Sequence, residues 1–180
     1  MFLTWRLFGS LPVNRQFPTA ITSGQAFLVL DRILDGAETG PLFLRRPDLA
    51  KLVVEALHYR ASHLKHYELH SYVVMPNHVH LLIKPLVPVS KLMQSLKRFT
   101  ATHANQVLGR TGQPFWQDES YDRVVRDHRE FQGITHYIET NPVKAGIAAT
   151  PQDFLWSSAR PIDNRPQLPK LPHNSITGEM

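Results

Sequence analysis

Two runs typical of β-strands, residues 67–75 and 78–83, are separated only by Pro76 and Asn77. Proline presets the first dihedral angle of a tight turn, and asparagine tolerates the conformation of the second position. A tight turn between two strands makes them antiparallel neighbours. The chain is therefore expected to build an antiparallel sheet around this hairpin.

The remaining elements are predicted from periodicity and from turn residues. A first strand is expected at residues 2–8, and a short apolar segment at residues 26–30 is expected to lead into a loop at residues 31–41. Helical spacing of apolar residues, with capping residues at the helix ends, predicts three helices. Expected later in the chain are helices at residues 47–63, 90–109 and 127–140, a strand at 119–126, and a stop at Asn141-Pro142.

This order of elements predicts an α+β fold, an antiparallel sheet with helices packed mainly on one face. With 180 residues, one domain is expected, and we assign it to residues 1–160. Residues 161–180 contain four of the fourteen prolines and little apolar periodicity. This segment is expected to be a tail that is disordered or wraps the surface.

The composition narrows the range of partners and compartments. The chain has no cysteine, which excludes disulfides and thiolate metal sites, and its sequence pI is about 9.7. A basic protein can bind nucleic acid, an anionic membrane or an acidic partner. No apolar run approaches the length that spans a bilayer, and the first residues lack the pattern of a signal peptide. A cytoplasmic protein without membrane contacts is expected.

His78 and His80 stand two residues apart in the second strand of the hairpin. Side chains alternate along a strand, so both imidazoles project from the same face and can share one divalent ion. Two half-buried histidines on a sheet face would produce the same pattern. Taken alone, this pattern favours the structural explanation.

Tyr137 and Asn141 are four residues apart, which places them on one face of the last predicted helix. Taken alone, packing is the usual explanation of such a tyrosine, and turn formation is the usual explanation of an asparagine before a proline. Together with the histidine pair, however, they suggest a specific chemistry. A phenol is only about 0.1% ionised at pH 7, and a divalent ion opposite it can polarise a phosphodiester and stabilise the charge that develops.

The polar side of the helix after Ser90 is a third feature. Cations and amides on this helix, with aromatic residues elsewhere, could line a groove for single-stranded nucleic acid. A solvated helix face and buried aromatics explain the same residues equally well. The DNA-binding residues predicted on this basis are Lys91, Lys97, Arg98, Arg110, Trp116 and Tyr121.

Two segments carry a resemblance to a known family. Residues 74–83 (VMPNHVHLLI) resemble the His-hydrophobic-His segment of the REP-associated tyrosine transposases, which are single-tyrosine HUH transposases of the IS200-like type. Residues 137–146 (YIETNPVKAG) resemble their tyrosine helix and the turn after it. Shorter similarities lie in order along the chain, at residues 3–12, 95–100, 115–122 and 156–158.

The resemblance implies a ferredoxin-like fold and a set of roles. His78 and His80 match the family's metal ligands, Asn141 matches the position of a third ligand, and the ion would be Mg²⁺ or Mn²⁺. Tyr137 matches the nucleophile that attaches to a DNA 5′ phosphate and frees a 3′ hydroxyl. Relatives act on single-stranded DNA with imperfect hairpins, and the chain would work as a monomer or homodimer.

Two other functions fit the sequence. A zinc hydrolase could use His78, His80 and a further histidine, with water as the nucleophile and no covalent DNA adduct. A hairpin-binding protein could keep the fold without cutting DNA. The presence of the complete set of histidines, tyrosine and asparagine argues against the second of these.

Overall fold

The computed structural model describes residues 1–11, 23–36 and 40–160, and within these ranges the chain forms four strands and four α-helices. The strands are β1 (Phe2–Leu7), β2 (Tyr67–Val74), β3 (His78–Pro85) and β4 (Trp116–Arg123). The helices are α1 (Ser23–Asp35), α2 (Pro47–Ser62), α3 (Val89–Val107) and α4 (His128–Lys144). Short 3-10 turns lie at Phe43–Arg45 and Pro151–Asp153. None of the described helices is both long enough and apolar enough to cross a membrane.

The strands form one antiparallel sheet in the order β2-β3-β1-β4. With helices between β1 and β2 and between β3 and β4, the chain follows the β-α-β-β-α-β arrangement of ferredoxin-like folds. The hairpin predicted at Pro76-Asn77 joins β2 to β3. The predicted α+β class and ferredoxin-like antiparallel sheet are therefore confirmed. The proposed tail, residues 161–180, lies outside the described residues.

The main hydrophobic core lies between the sheet and the helices α2 and α3. Leu3 and Trp5 of β1 and Leu81 of β3 are buried in one cluster with Leu57 of α2 and Leu96 of α3. Of the four described helices, α2 and α3 pack on this face and α1 and α4 pack on the other, so the helices are divided between the two faces rather than placed mainly on one. The side chains that alternate with these core residues along β1 and β3 point to the other face.

The second face of the sheet carries α1 and α4. Phe2 of β1, Leu82 of β3 and Ile138 of α4 belong to a smaller buried cluster, against which Phe27 of α1 packs. Because the histidine pair alternates with Val79 along β3, both histidines belong to this second face. The two histidines therefore face the space between the sheet, α1 and α4.

The loop predicted at residues 31–41 was wrong over its first five residues, because α1 continues to Asp35. Leu34 and Asp31 are both buried, so this turn of the helix faces the protein interior. Asp31 interrupts the apolar run without ending the helix. Packing against the sheet and contact with a polar partner stabilise the aspartate at this position. The Gly36 amide donates to the Arg32 carbonyl oxygen at 3.0 Å as the helix ends.

The stop predicted at Asn141-Pro142 was also wrong, because α4 continues to Lys144. Proline fits helical φ and costs one hydrogen bond, together with steric strain against the preceding turn. Pro142 is buried, which offsets part of this cost, and the helix ends within the next turn. Gly146, with φ of +70°, adopts the left-handed conformation that commonly follows a helix C-terminus.

Candidate active site

His78 and His80 converge on one point beneath α1 and α4. Both side chains are fully buried, and they lie opposite Arg6 and Thr4 in the register of β1. Their Nε2 atoms are 3.1 Å apart. Strand alternation has therefore brought the two imidazoles together, as the sequence predicted.

The Nδ1 atom of each imidazole, on the side of the ring away from the other histidine, contacts a polar side chain. His78 Nδ1 lies 2.7 Å from Asn77 Oδ1, while the Asn77 amide nitrogen donates to the Leu34 carbonyl oxygen at 3.0 Å. Because Asn77 presents its oxygen to the ring, this contact requires a proton on His78 Nδ1. His80 Nδ1 lies 2.8 Å from Thr4 Oγ1. Outer contacts of this kind orient metal-binding histidines and turn Nε2 towards the ion.

Helix α1 brings two carboxylates to the same point. Asp31 Oδ1 lies 3.1 Å from His80 Nε2 and 3.6 Å from His78 Nε2. Asp35, one helical turn later, places Oδ1 3.7 Å from His78 Nε2. Neither aspartate was predicted from the sequence, because the segment that holds them was expected to be a loop. The signal that could have found them is their four-residue spacing, which matches the apolar face of a helix.

The surroundings move the pKa values of the two carboxyl groups in opposite directions. Burial raises the pKa of Asp31, but attraction to His80 and His78 and hydrogen bonding outweigh burial, so the net pKa is lowered. Burial and repulsion from Asp31 raise the pKa of Asp35 to about 7. Burial and repulsion from His80 lower the pKa of His78 to about 3. His78 is therefore neutral at pH 7 and turns a lone pair on Nε2 towards the cluster.

Asn141 of α4 completes the cluster. It is fully buried, and its Nδ2 lies 3.4 Å from both His80 Nε2 and Asp31 Oδ2. Asn141 Oδ1 and Asp31 Oδ1 are buried and accept no hydrogen bond from the residues that the structure describes. Buried acceptors without a donor are costly and need an explanation. A cation supplies one, if it binds Asp31 Oδ1 and, after a 180° rotation of the amide, Asn141 Oδ1.

The cluster has the donor atoms that a divalent cation requires. One ligand atom each from Asp31, His78 and His80 lie within 4.8 Å of one another. Imidazole nitrogen suits zinc and other transition metals, while carboxylate and carbonyl oxygens suit magnesium and manganese. The mixed set, with its unpartnered oxygens, fits a divalent cation and leaves the choice among these metals open.

Tyr137 lies one turn before Asn141, at the wall of a cleft of about 560 Å³. Its ring stands edge-on to that of His80, with the ring centroids 5.5 Å apart. The Tyr137 hydroxyl is buried and has no hydrogen-bond partner among the described residues. A buried tyrosine used only for packing usually finds a partner for its hydroxyl. Within the described part of the chain, this hydroxyl is therefore available to a further partner.

Lys144 reaches the same cleft because α4 continues past the proline. Its Nζ lies 4.9 Å from the centre of the Tyr137 ring. Tyr137, Asn141 and Lys144 follow the i, i+4, i+7 spacing of a single helix face. The cleft is lined by Leu28, Asp31, Arg32, Asp35, Gly36, Tyr137, Lys144 and Ala145.

The basic residues predicted to bind DNA on α3 lie across the sheet from this cleft. Helix α3 packs into the main core on the opposite face. Lys97 Nζ donates to three carbonyl oxygens of β4 at 2.9–3.4 Å. The Arg110 guanidinium lies 4.6 Å from the centre of an aromatic ring. Lys91 and Arg98 are exposed, but the structure does not bring them together with the histidine cluster.

The two aromatic residues predicted to stack on DNA have different environments. Trp116 is buried in the main core, and its indole nitrogen donates to Thr100 Oγ1 at 2.8 Å. It therefore offers no stacking surface. Tyr121 lies on the same face as the histidines and stacks on Phe27 with a centroid distance of 4.4 Å.

No third histidine of residues 1–11, 23–36 and 40–160 joins the pair. Among the residues that the structure describes, the group that could hold a metal ion is completed by Asp31. The zinc hydrolase considered from the sequence required a further histidine beside His78 and His80. The geometry therefore does not favour a zinc hydrolase with three histidine ligands.

Comparisons with known proteins place the chain among transposases. A family model described as transposase IS200 like matches residues 46–141, a segment that includes both histidines, Tyr137 and Asn141. No curated protein matches the chain. One similar solved structure is described as "Structure of the REP associates tyrosine transposase bound to a REP hairpin". It is 20% identical, with 94% of this chain and 87% of that chain covered and a TM-score of 0.49.

Proposed function

The chain belongs to the IS200-like transposase family, whose model matches residues 46–141, and we propose that it cuts and rejoins single-stranded DNA. The proposed substrate is a hairpin of the repetitive extragenic palindrome type with a single-stranded flank. The proposed intermediate is a 5′-phosphotyrosine ester. The observation that carries this proposal is the unpartnered Tyr137 hydroxyl beside a buried cluster of metal-binding donors.

His78, His80 and Asn141 are the proposed metal ligands, and the structure adds Asp31 as a fourth donor. The proposed ion is Mg²⁺ or Mn²⁺. When bound, it would polarise the phosphodiester and stabilise the negative charge of the transition state. Asn141 offers its amide oxygen after a rotation of the amide by 180°, which exchanges the positions of its nitrogen and oxygen.

Tyr137 performs the covalent step in this proposal. Its phenolic oxygen forms a bond to phosphorus while the bond from phosphorus to the 3′ oxygen breaks. The phenol loses its proton, and the departing 3′ oxygen gains one to become a hydroxyl. Because one phosphate ester replaces another, the reverse reaction rejoins a strand without ATP. Lys144 and Arg32, which line the cleft, carry the positive charge needed to hold the phosphate beside the tyrosine.

The decisive experiment compares Tyr137→Phe with the unchanged protein on single-stranded hairpin oligonucleotides in Mn²⁺. The unchanged protein should give a covalent protein–DNA band on a denaturing gel, and the variant should reduce it by at least about a thousandfold. Its melting temperature should stay within roughly 2 °C, because the lost hydroxyl has no hydrogen-bond partner in the part of the chain that the structure describes. Tyr59→Phe, on α2 across the sheet, is the matched control and should keep full activity.

Three other outcomes would contradict the proposal. A covalent band that persists in Tyr137→Phe would assign the nucleophile to another residue. Cleavage without any covalent band in the unchanged protein would indicate a hydrolase that uses water. Tight hairpin binding without cleavage would indicate a binding protein that has kept the fold and lost the reaction.

A further inference from the structure

A second groove, of about 350 Å³, begins where the catalytic cleft ends. Both lie between α1 and α4, and they share Leu28 and Tyr137 as a common wall. The cleft extends towards the C-terminal ends of the two helices, and the groove extends towards their N-terminal ends. Anything bound in the groove therefore lies next to the group held at Tyr137.

The floor of the groove is aromatic and its rim is polar. Phe27 and Tyr121 stack with an interplanar angle of 24°, and the rings of Phe2 and Tyr137 stand edge-on to Phe27 at centroid distances of 5.5 and 6.2 Å. Three polar side chains also line the groove, those of Gln25, Arg123 and Glu130. This arrangement suits a flat, unsaturated ring with polar atoms on its edge.

Gly133 forms part of the groove wall although the fold does not require glycine there. It lies inside α4, where alanine is favoured over glycine, and it is not among the glycines with positive φ. A Cβ atom added at Gly133 would meet nothing within 4 Å. Neither its backbone conformation nor packing against the described residues therefore explains this glycine. Close approach of a ligand to the helix backbone is the remaining role that glycine serves.

We propose that this groove binds one nucleobase of the DNA strand, next to the phosphodiester held at Tyr137. This inference rests on the proposed function, because that function places a single strand along the shared wall. The volume exceeds that of one base, the aromatic floor stacks any base, and the polar rim reaches the hydrogen-bonding edge. Gly133 leaves the space that the base occupies.

Gly133→Leu tests the groove without touching the catalytic residues. Leucine forms helices well and enters open space, so the variant should melt no lower than the unchanged protein. The two probes are a 20-nucleotide oligothymidylate and a strand of equal length made of abasic units, both measured by fluorescence anisotropy in EDTA. The unchanged protein should bind the oligothymidylate more tightly than the abasic strand. In the variant, the ratio of the two affinities should fall about tenfold. Affinity for the abasic strand should not change.

Gln132→Leu is the matched control, since it adds the same side chain to an exposed neighbouring position that does not line the groove. It should keep the full preference for bases. The inference would be overturned if Gly133→Leu kept the full preference for oligothymidylate, or if it lost affinity equally for both strands. It would also be overturned if the unchanged protein showed no preference between them. Failure of the proposed function is a separate result: it appears as the absence of a covalent band, which these measurements in EDTA do not involve.

Discussion

Asp31 is a charged donor of the proposed metal site, and it links α1 to the two histidines. Its Oδ1 lies within 3.6 Å of both Nε2 atoms, and attraction to the histidines keeps its pKa lowered despite burial. A carboxylate that stays ionised inside the protein needs positive charge or hydrogen bonds nearby. A divalent cation bound at the cluster would supply such positive charge directly.

Asp31→Asn should therefore weaken Mn²⁺ binding by at least tenfold, as measured by isothermal titration calorimetry. Asparagine keeps the shape of the side chain and removes its charge, so packing against the histidines is preserved. Asp48→Asn, which removes one carboxylate from α2 on the opposite face, should bind the ion as the unchanged protein does. Equal affinity in all three proteins would mean that Asp31 does not bind the ion.

Helix α4 presents the residues of the proposed reaction on one face. Lys144 shares that face with Tyr137 and Asn141 only because the helix continues through Pro142. The last turn carries Lys144 to within 4.9 Å of the tyrosine ring, where its ammonium group can meet a phosphate. An earlier helix end would have left the cleft with the nucleophile and without this cation.

Lys144→Gln should reduce the salt dependence of DNA binding. Loss of one phosphate contact lowers the log–log slope of affinity against salt by about 0.7 for a single strand. Anisotropy with the 20-nucleotide oligothymidylate at several salt concentrations, in EDTA, measures that slope. Lys65→Gln removes the same charge at the turn before β2, at the far end of the sheet, and should leave the slope unchanged. A slope unaltered by Lys144→Gln would show that this lysine does not contact phosphate.

At the scale of the whole molecule, the proposed ion would connect three elements that are distant in sequence. Its donors come from α1, β3 and α4, and the contacts between Asn141 and Asp31 span 110 residues. The main core on the other face of the sheet does not include these groups. Metal binding should therefore stabilise the side of the molecule that holds the cleft.

Mn²⁺ at 100 times its dissociation constant should raise the free energy of unfolding by about 2.7 kcal/mol. For a protein of this size, that corresponds to a rise of roughly 5–10 °C in melting temperature by differential scanning fluorimetry. EDTA should reverse the rise and stop cleavage, and Asp31→Asn should show a smaller rise at the same concentration. A melting temperature indifferent to Mn²⁺ and EDTA would contradict the metal site.

Much of the fold was predictable from short-range patterns. The Pro76-Asn77 turn, the alternation that pairs the histidines of β3 and the helical spacing of Tyr137 and Asn141 all depend on neighbouring residues. The N-cap of α4 is also local, since the Asp127 side chain accepts a hydrogen bond from the Glu130 amide at 2.8 Å. These features follow from backbone geometry and turn chemistry, which a few adjacent residues determine.

Tertiary structure alone decided which faces meet. The strand order β2-β3-β1-β4 sends α3 to one side of the sheet and the histidines to the other, which separates the predicted basic face from the cleft. The same packing keeps Asp31 in a helix and extends α4 to Lys144. Burial outweighs local preference at both places, because the free energy of covering apolar surface exceeds the cost of an interrupted pattern or a missing hydrogen bond. Periodicity identifies the buried face of an element, whereas strand order and register determine what that face contacts.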